Sequence, residues 1–114
     1  MKYNISLTNY HLTLQAVNED LTPMGYLSIL LERDEYNNVI GKLMGLIRHP
    51  EFKDLEVCRS LTEKAIDVCK SLDVDKIYIG IYKKRKGYIK LLKFLGFEEI
   101  ECDSKNHRRF VKKV

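Results

Sequence analysis

Residues 46–66, LIRHPEFKDLEVCRSLTEKAI, contain the point at which the spacing of apolar residues changes. Before Pro50 apolar and polar residues tend to alternate, which is the period of half-buried strands. After Pro50 the apolar residues recur at steps of three and four, which is the spacing along one face of an amphipathic helix. These residues are Val57, Leu61, Ala65, Val68 and Leu72. The segment therefore predicts a strand followed by a helix over residues 55–72, with Asp54 as its N-cap.

The segments on either side of this region predict one sheet. The expected strands cover residues 3–8, 10–16, 24–33 and 39–48 before the helix, and residues 76–82, 97–102 and 108–114 after it. A second helix covers residues 87–95 and ends at Gly96, a residue suited to the left-handed position after a helix. Because a strand, a helix and a strand of this length form a parallel crossover, one pair of strands runs parallel. The sequence thus predicts an α+β (α/β) fold, one domain over residues 1–114 with a mixed, mostly antiparallel sheet in the order ββββ-α-β-α-ββ.

The composition of the chain excludes several classes of protein. With 114 residues, 45% of them hydrophobic and 32% charged, the chain has the apolar content of one globular domain and not of a disordered segment. No window approaches the ~18 apolar residues of a membrane span, and the N-terminus lacks the apolar core of a signal peptide. The three cysteines have no metal-binding spacing, so we expect no metal site, reduced thiols and a cytoplasmic location.

The net charge of +4 is divided unevenly along the chain. Residues 1–82 carry 9 basic and 12 acidic side chains, whereas residues 83–114 carry 11 basic and 4 acidic ones. The C-terminal segment is therefore the candidate surface for an anionic partner, either an acidic protein or a nucleic acid, with a solvated loop as the alternative. The residues of this candidate patch are Lys83, Lys84, Arg85, Lys86, Arg108 and Arg109.

Two segments resemble the GCN5-related N-acetyltransferase (GNAT) family, and the likeness covers roughly residues 24–114. Residues 46–66 are similar to the acetyl-CoA loop of that family, where a strand ends shortly before a Pro and a basic residue precedes a glycine-rich turn and a helix. Residues 88–101, YIKLLKFLGFEEIE, are similar to the family's last helix and its Leu-Gly-Phe exit. The resemblance implies a GNAT-like sheet that lacks the two helices usually found after the family's first strand.

The resemblance also implies where acetyl-CoA would bind. It would lie between residues 39–48 and 76–82, with strand backbone holding the pantetheine and the helix N-terminus facing the pyrophosphate. The residues concerned are Leu46, Ile47, Arg48, Lys53, Asp54, Leu55, Glu56, Val57, Cys58 and Arg59. Lys53 keeps the basic first position of the family's loop. Glu56 replaces a glycine, and a carboxylate about 4 Å from a phosphate opposes binding by roughly 1–4 kcal/mol.

The catalytic positions of the family are matched less closely. In many members a Tyr three residues before the Leu of Leu-Gly-Phe protonates the departing thiolate, and here that position is Leu92. Tyr88, one turn earlier, is a candidate for the same role, with core packing as the alternative. Glu32 and His49, near the ends of predicted strands, are the candidates for a general base.

Three functions are consistent with these observations. The first is a GNAT-fold protein with an eroded acetyl-CoA loop and no cofactor, acting as a binding or assembly component, since the YIKLLKFLGF segment is similar to small phage-encoded proteins found in virions or in host takeover. The second is an acetyl-CoA-dependent N-acetyltransferase acting on an amine, with the basic segment near the 3′-phosphate of CoA. The third is a module that binds nucleic acid or another anionic partner through residues 83–114, without a recognisable nucleic-acid-binding motif. A homo-oligomer is compatible with each.

Overall fold

The computed structural model describes residues 1–52 and 55–114, while Lys53 and Asp54 lie outside the described residues. The strands are β1 (Lys2–Thr8), β2 (His11–Val17), β3 (Pro23–Arg33), β4 (Val39–Arg48), β5 (Lys76–Tyr82), β6 (Glu98–Ile100) and β7 (His107–Lys113). The helices are α1 (Glu56–Ser71), between β4 and β5, and α2 (Lys86–Phe94), between β5 and β6. The predicted order of elements, ββββ-α-β-α-ββ, is confirmed.

The strands form one sheet in the order β1-β2-β3-β4-β5-β7-β6. Only the β4–β5 pair is parallel, so the predicted mixed, mostly antiparallel sheet with one parallel crossover is confirmed. β1 and β2 are joined directly by a turn at Asn9 and Tyr10, whose φ angles of 49° and 65° are those of a two-residue hairpin turn. The first two strands therefore have no helix between them, as the resemblance implied.

Both helices pack on one face of the sheet, here called the helix face. The apolar face of α1 lies over β2, β3 and β4, and α2 adds Tyr88, Ile89 and Leu92 to the same core. The largest buried strand residues of this core are Leu12, Leu14, Leu27, Ile29, Ile77 and Phe110. We call the opposite face the open face. It is polar near β1, where the side chains of Asn4, Gln15 and Tyr26 are joined by hydrogen bonds of 2.9 Å.

One predicted boundary is wrong, and one lies outside the described residues. Among the described residues Leu55 stands at the N-cap position of α1 and makes no side-chain capping bond, while the predicted N-cap, Asp54, lies outside them. The strand predicted over residues 97–102 is confined to Glu98–Ile100. Phe97 is not part of that strand, because its side chain is buried and its N–H donates to the carbonyl of Leu92 at the end of α2.

Both helices end in the same cap, in which a residue with positive φ follows the C-cap. In α2 this residue is Gly96, at φ 92°, as predicted, and its N–H donates to the carbonyl of Lys93. In α1 it is Asp73, at φ 58°, whose N–H donates to the carbonyl of Lys70. An L-residue with a side chain is strained in this conformation, whereas glycine is not.

Substitutions at the two caps should therefore change the free energy of unfolding in opposite directions. Gly96→Ala should lower the free energy of unfolding by about 1 kcal/mol, because it strains the left-handed residue. It also brings a Cβ to 2.9 Å from Nζ of Lys112. Asp73→Gly is the matched control and should raise the free energy of unfolding by a few tenths to about 1 kcal/mol. Urea unfolding of the three proteins measures both changes, and a shift of the same sign in both variants would contradict the assignment of the caps.

Candidate functional site

β4 and β5 separate along their length. Their described pairing joins residues 40–42 to residues 76–78, whereas β4 continues to Arg48 and β5 to Tyr82. Over the remaining length β4 stays paired with β3, and β5 stays paired with β7. The twist of the two halves of the sheet carries the strand ends apart. We call the gap between residues 43–48 of β4 and residues 79–82 of β5 the slot.

A glycine borders the slot on each side. Gly45 lies on β4 and Gly80 on β5, and a Cβ added to either would meet no heavy atom within 4 Å. Gly80 alternates with Ile79 and Ile81, which are buried on the helix face, so the position of Gly80 faces the open face. The slot therefore borders open space on the face that carries no helix.

A β-bulge shapes the β4 side of the slot. Ser28 of β3 pairs with Gly45, but its neighbour Ile29 pairs with Leu43, so Met44 is an extra residue in β4. Met44 is exposed. A bulge bends its strand and increases the local twist, and this bend lies at the point where β4 leaves β5.

The first turn of α1 lies at the open end of the slot on the helix face. Val57 packs on Gly25, the partner of Arg48 at the end of β4, so closely that a Cβ on Gly25 would lie 2.9 Å from Val57 Cγ1. Between this turn and α2 is a depression of about 440 Å³. Its lining includes Leu55, Glu56, Arg59, Gly87, Lys90 and Phe94.

The charged α1 side chains of this depression, those of Glu56 and Arg59, also make contacts within α1. Glu56 is exposed in the first turn of α1, where its carboxylate is stabilised by the helix dipole and accepts a long hydrogen bond of 3.4 Å from Ser60. Arg59 donates to Glu63 at 2.8 Å, and this hydrogen bond raises the pKa of its guanidinium. The same guanidinium lies 5.6 Å from the ring centroid of Phe94 on α2. Among the described residues, this depression is thus lined by one acidic side chain, Glu56, and two basic ones, Arg59 and Lys90.

The structure brings the described residues of the predicted cofactor loop to one end of the slot. Leu46 and Arg48 are half-buried at the end of β4, and Ile47 between them is exposed on the open face. In α1, Val57 and Cys58 are buried in the core, while the remaining members of the predicted loop are exposed. These exposed residues are Leu55, Glu56 and Arg59. Lys53 and Asp54, the other two predicted positions, lie outside the described residues.

Tyr88 lies in the core between the helices. Its side chain is 1% exposed, and its hydroxyl is 2.9 Å from that of Thr62 on α1. The Thr62 hydroxyl donates to the carbonyl of Cys58 at 2.7 Å, so Tyr88 donates to Thr62. Burial raises the pKa of Tyr88 to about 12. The geometry therefore favours the packing alternative for Tyr88 over the role of an acid in the slot.

The other two catalytic candidates lie at opposite ends of the β3–β4 pair. Glu32 is the partner of Ile40 at the closed end of the slot and forms an ion pair with Lys42. His49 is exposed just after β4, at the open end, and its backbone N–H donates to the carbonyl of Met24. Glu32 and His49 are therefore not brought together, and neither meets Tyr88.

The candidate basic patch is divided between surfaces. Lys83, Lys84, Arg85 and Lys86 are exposed at the start of α2. Arg108 lies on the helix-face side of β7 and donates to Glu99 at 2.6 Å, a hydrogen bond that lowers the pKa of Glu99. Arg109, the next residue, lies on the open face above Tyr78, with 5.8 Å between its guanidinium carbon and the ring centroid. Alternation along β7 thus separates the two arginines.

One feature beside the slot was missed by the sequence reasoning. Tyr78, Gly80 and Tyr82 follow one another on the open face of β5, and the ring of Tyr82 lies 5.8 Å from that of His107 on β7. The alternation in KIYIGIY carries this signal, because residues two apart share a face of a strand.

No helix in the described part of the chain is long and apolar enough to cross a membrane. Residues 1–52 and 55–114 contain no group of three or more side chains that could hold a metal ion.

Comparisons with known proteins support the fold. No family model matches the chain, and no curated protein sequence matches it. Several solved structures are similar to the chain. The spermidine N-acetyltransferase of Vibrio cholerae in complex with CoA and spermine matches it with a TM-score of 0.76 and 18% identity, and the match covers 92% of this chain and 66% of that chain. A dodecameric structure of the same enzyme has a TM-score of 0.76 at 17% identity, over 92% and 66%. A GNAT-family acetyltransferase of Staphylococcus aureus Mu50 has a TM-score of 0.71 at 20% identity, over 90% and 67%.

These likenesses confirm the predicted GNAT fold. The chain spans about two thirds of the length of these three chains.

Removal of the Tyr88 hydroxyl tests its packing role. Tyr88→Phe deletes the hydrogen bond to Thr62 inside the core, so the free energy of unfolding should fall by about 0.5–1.5 kcal/mol. Tyr36→Phe removes a hydroxyl from a side chain that is 77% exposed and should have no measurable effect. Urea unfolding of both variants makes the comparison, and equal stability of the two would contradict a buried, bonded Tyr88.

Two buried groups that lose a proton at alkaline pH, the thiol of Cys69 and the phenol of Tyr88, predict a loss of stability at alkaline pH. Burial raises the pKa of Cys69 to about 11 and that of Tyr88 to about 12. The unfolded chain releases these protons with pKa values near 9 and 10, whereas the folded protein keeps both to higher pH. Their stabilising contribution is therefore complete below about pH 8 and is lost as the pH rises through the folded-state pKa values of about 11 and 12. The free energy of unfolding from urea curves at pH 8, 9.5 and 11 should fall, by up to about 1.4 kcal/mol per pH unit for each group.

The Cys69→Ala/Tyr88→Phe variant separates this effect from general alkaline damage. Its free energy of unfolding should be lower at pH 8 but should depend less on pH than that of the parent. An identical decline in both proteins would mean that other groups cause the loss.

Proposed function

From the GNAT fold of this chain we propose that it binds acetyl-CoA in the slot and transfers the acetyl group to an amine. The observation that carries the proposal is the separation of β4 from β5 beyond Lys42. Among the described residues, no strand pairs with the β5-facing edge of residues 43–47. Backbone donors and acceptors on such an edge suit the amides of a pantetheine arm, which pairs with them as a strand would.

The residues around the slot are compatible with bound acetyl-CoA in two respects. Gly45 and Gly80 leave its borders free of side chains. The first turn of α1 and the depression beside it lie at the open end, where a helix N-terminus favours phosphate. Arg59 and Lys90 add positive charge there. Among the described residues Glu56 opposes the fit, because its carboxylate lies in the same turn.

The proposed reaction needs little from side chains. The amine nitrogen forms a bond to the acetyl carbonyl carbon, the carbon–sulfur bond breaks, and the sulfur leaves with the electron pair and takes up the proton that the amine loses. Since Tyr88 is buried and Glu32 lies at the closed end, the proton of the incoming ammonium group passes to water or to the exposed His49 at the open end. In this proposal the chain contributes alignment of the two reactants, which is a large part of many enzymes' rate enhancement.

A protein without cofactor chemistry is the second candidate, and Glu56 favours it. A helix whose first turn carries an exposed carboxylate is well adapted to a free N-terminus and poorly adapted to a pyrophosphate. Such a protein would act as a binding or assembly component, for example in a phage particle. The exposed residues Lys83, Lys84, Arg85 and Lys86 would then be its contact for an acidic protein or a nucleic acid.

Titration with acetyl-CoA distinguishes the two candidates. The acetyltransferase proposal predicts measurable heat of binding for the parent protein, and Glu56→Gln should tighten binding by about tenfold because it removes a repulsion worth at least ~1 kcal/mol. Asp67→Asn is the matched control. It removes the same charge from an exposed position of α1 about 16 Å further along the helix and should leave the affinity unchanged.

Two outcomes would overturn the acetyltransferase proposal. One is the absence of binding at millimolar acetyl-CoA in both the parent and Glu56→Gln. The other is binding without any acetyl transfer, measured as release of free CoA thiol, to a broad set of amines. Either result would leave the binding or assembly component as the better account.

A further inference from the structure

The open face beside the slot carries aromatic and basic side chains. Tyr78 and Tyr82 flank Gly80 on β5, and Arg109 on β7 is the register partner of Gly80. Because Gly80 has no side chain, nothing on β5 stands between Arg109 and the slot. The guanidinium of Arg109 lies 5.8 Å from the ring centroid of Tyr78. Because an arginine side chain is longer than the spacing of about 4.8 Å between neighbouring strands, it is long enough to extend across Gly80 to the edge of the slot.

The same face presents few acidic groups. On its strands the acidic residues are Glu32, which is paired with Lys42 at the closed end, and Glu98, which lies on β6 beyond β7. At the open end the loop between β6 and β7 carries two acids, Glu101 and Asp103. Lysines of this loop and of the turn before α2 outnumber them: these are Lys83, Lys84 and Lys105. Among the described residues, this loop and the turn before α2 therefore carry a net positive charge, while Glu51 lies on the other side of the open end, after β4.

The two faces of the slot have different roles if the proposed function holds. The start of α1 and its depression lie on the helix face, so acetyl-CoA would occupy that side. The acceptor then approaches from the open face, past Tyr78, Gly80 and Tyr82. The charge and shape of this face select the acceptor.

We propose that the acceptor is an amine that also carries a carboxylate and an aromatic or other apolar group. This proposal rests on the acetyltransferase function proposed above. Arg109 binds the carboxylate through its two-pronged guanidinium, and the rings of Tyr78 and Tyr82 contact the apolar group. Polycationic amines are disfavoured, because they would meet like charge on the loop between β6 and β7 and the turn before α2, and no unpaired strand carboxylate beside Gly80.

Three acceptors that differ in charge test the proposal. Phenylalanine and phenethylamine share a ring and an amine and differ by the carboxylate, and spermidine is a polycation. With saturating acetyl-CoA, kcat/KM from release of CoA thiol should be at least tenfold higher for phenylalanine than for phenethylamine or spermidine. All three amines are compared at one pH and ionic strength.

Substitution of Arg109 assigns the selectivity to one residue. In Arg109→Gln the ratio of kcat/KM for phenylalanine to that for phenethylamine should fall at least tenfold, and Arg109→Lys, which keeps the charge, should recover part of it. Lys113→Gln is the matched control. It removes a charge from the same strand and face at the closed end of the slot and should leave the ratio within twofold.

The failure of this proposal is distinguishable from failure of the proposed function. Turnover of phenethylamine or spermidine at a kcat/KM equal to or above that of phenylalanine would overturn the acceptor class and leave the acetyltransferase standing. A ratio that Arg109→Gln does not change would also overturn it. Absence of acetyl-CoA binding would overturn both.

Discussion

The packing of α1 against β2, β3 and β4 is the constraint on which the rest of the structure depends. Val57, Leu61 and Ala65 of this helix are each no more than 2% exposed. Burial of a Val or Leu side chain is worth about 1.5–3 kcal/mol. Because α1 also connects β4 to β5, this packing holds the two strands parallel at one end. Their full-length antiparallel pairing with β3 and β7 then draws the other ends apart, and the slot results from these two requirements.

The same helix creates a conflict between folding and binding at its N-terminus. An acidic residue in the first turn stabilises a helix by about 0.3–1 kcal/mol, through the partial positive charge of the helix dipole. A bound phosphate would use the same partial charge and the same backbone donors. Glu56 occupies this position, so a gain in helix stability comes at the expense of affinity for a pyrophosphate. The balance between the two proposed functions therefore depends mainly on one side chain.

The order of elements and the parallel crossover could be predicted because they follow from local periodicity and from the length of the β4–α1–β5 connection. The start of the strand predicted over residues 97–102 could not, since the docking of Phe97 into the core depends on contacts with α2. The environment of Tyr88 was also hidden. Helical spacing predicts the face of α2 on which Tyr88 lies, but its hydrogen-bond partner, Thr62, lies 26 residues earlier in the chain. The position of Gly45 and Gly80 at the borders of the slot could not be predicted either, because it depends on the separation of the ends of β4 and β5.

Counting charge along the chain also overstates the basic surface, because a strand distributes neighbouring residues over two faces. Arg108 and Arg109 are adjacent in sequence, yet Arg108 is held by Glu99 on the helix-face side and Arg109 lies above Tyr78 on the open face. The predicted patch of Lys83, Lys84, Arg85, Lys86, Arg108 and Arg109 is therefore divided between surfaces. What remains next to the slot is a single arginine opposite a glycine, an arrangement suited to one small carboxylate. Under the proposed acetyltransferase function, the charge of Arg109 is thus matched to the acceptor of the reaction and not to a macromolecular partner.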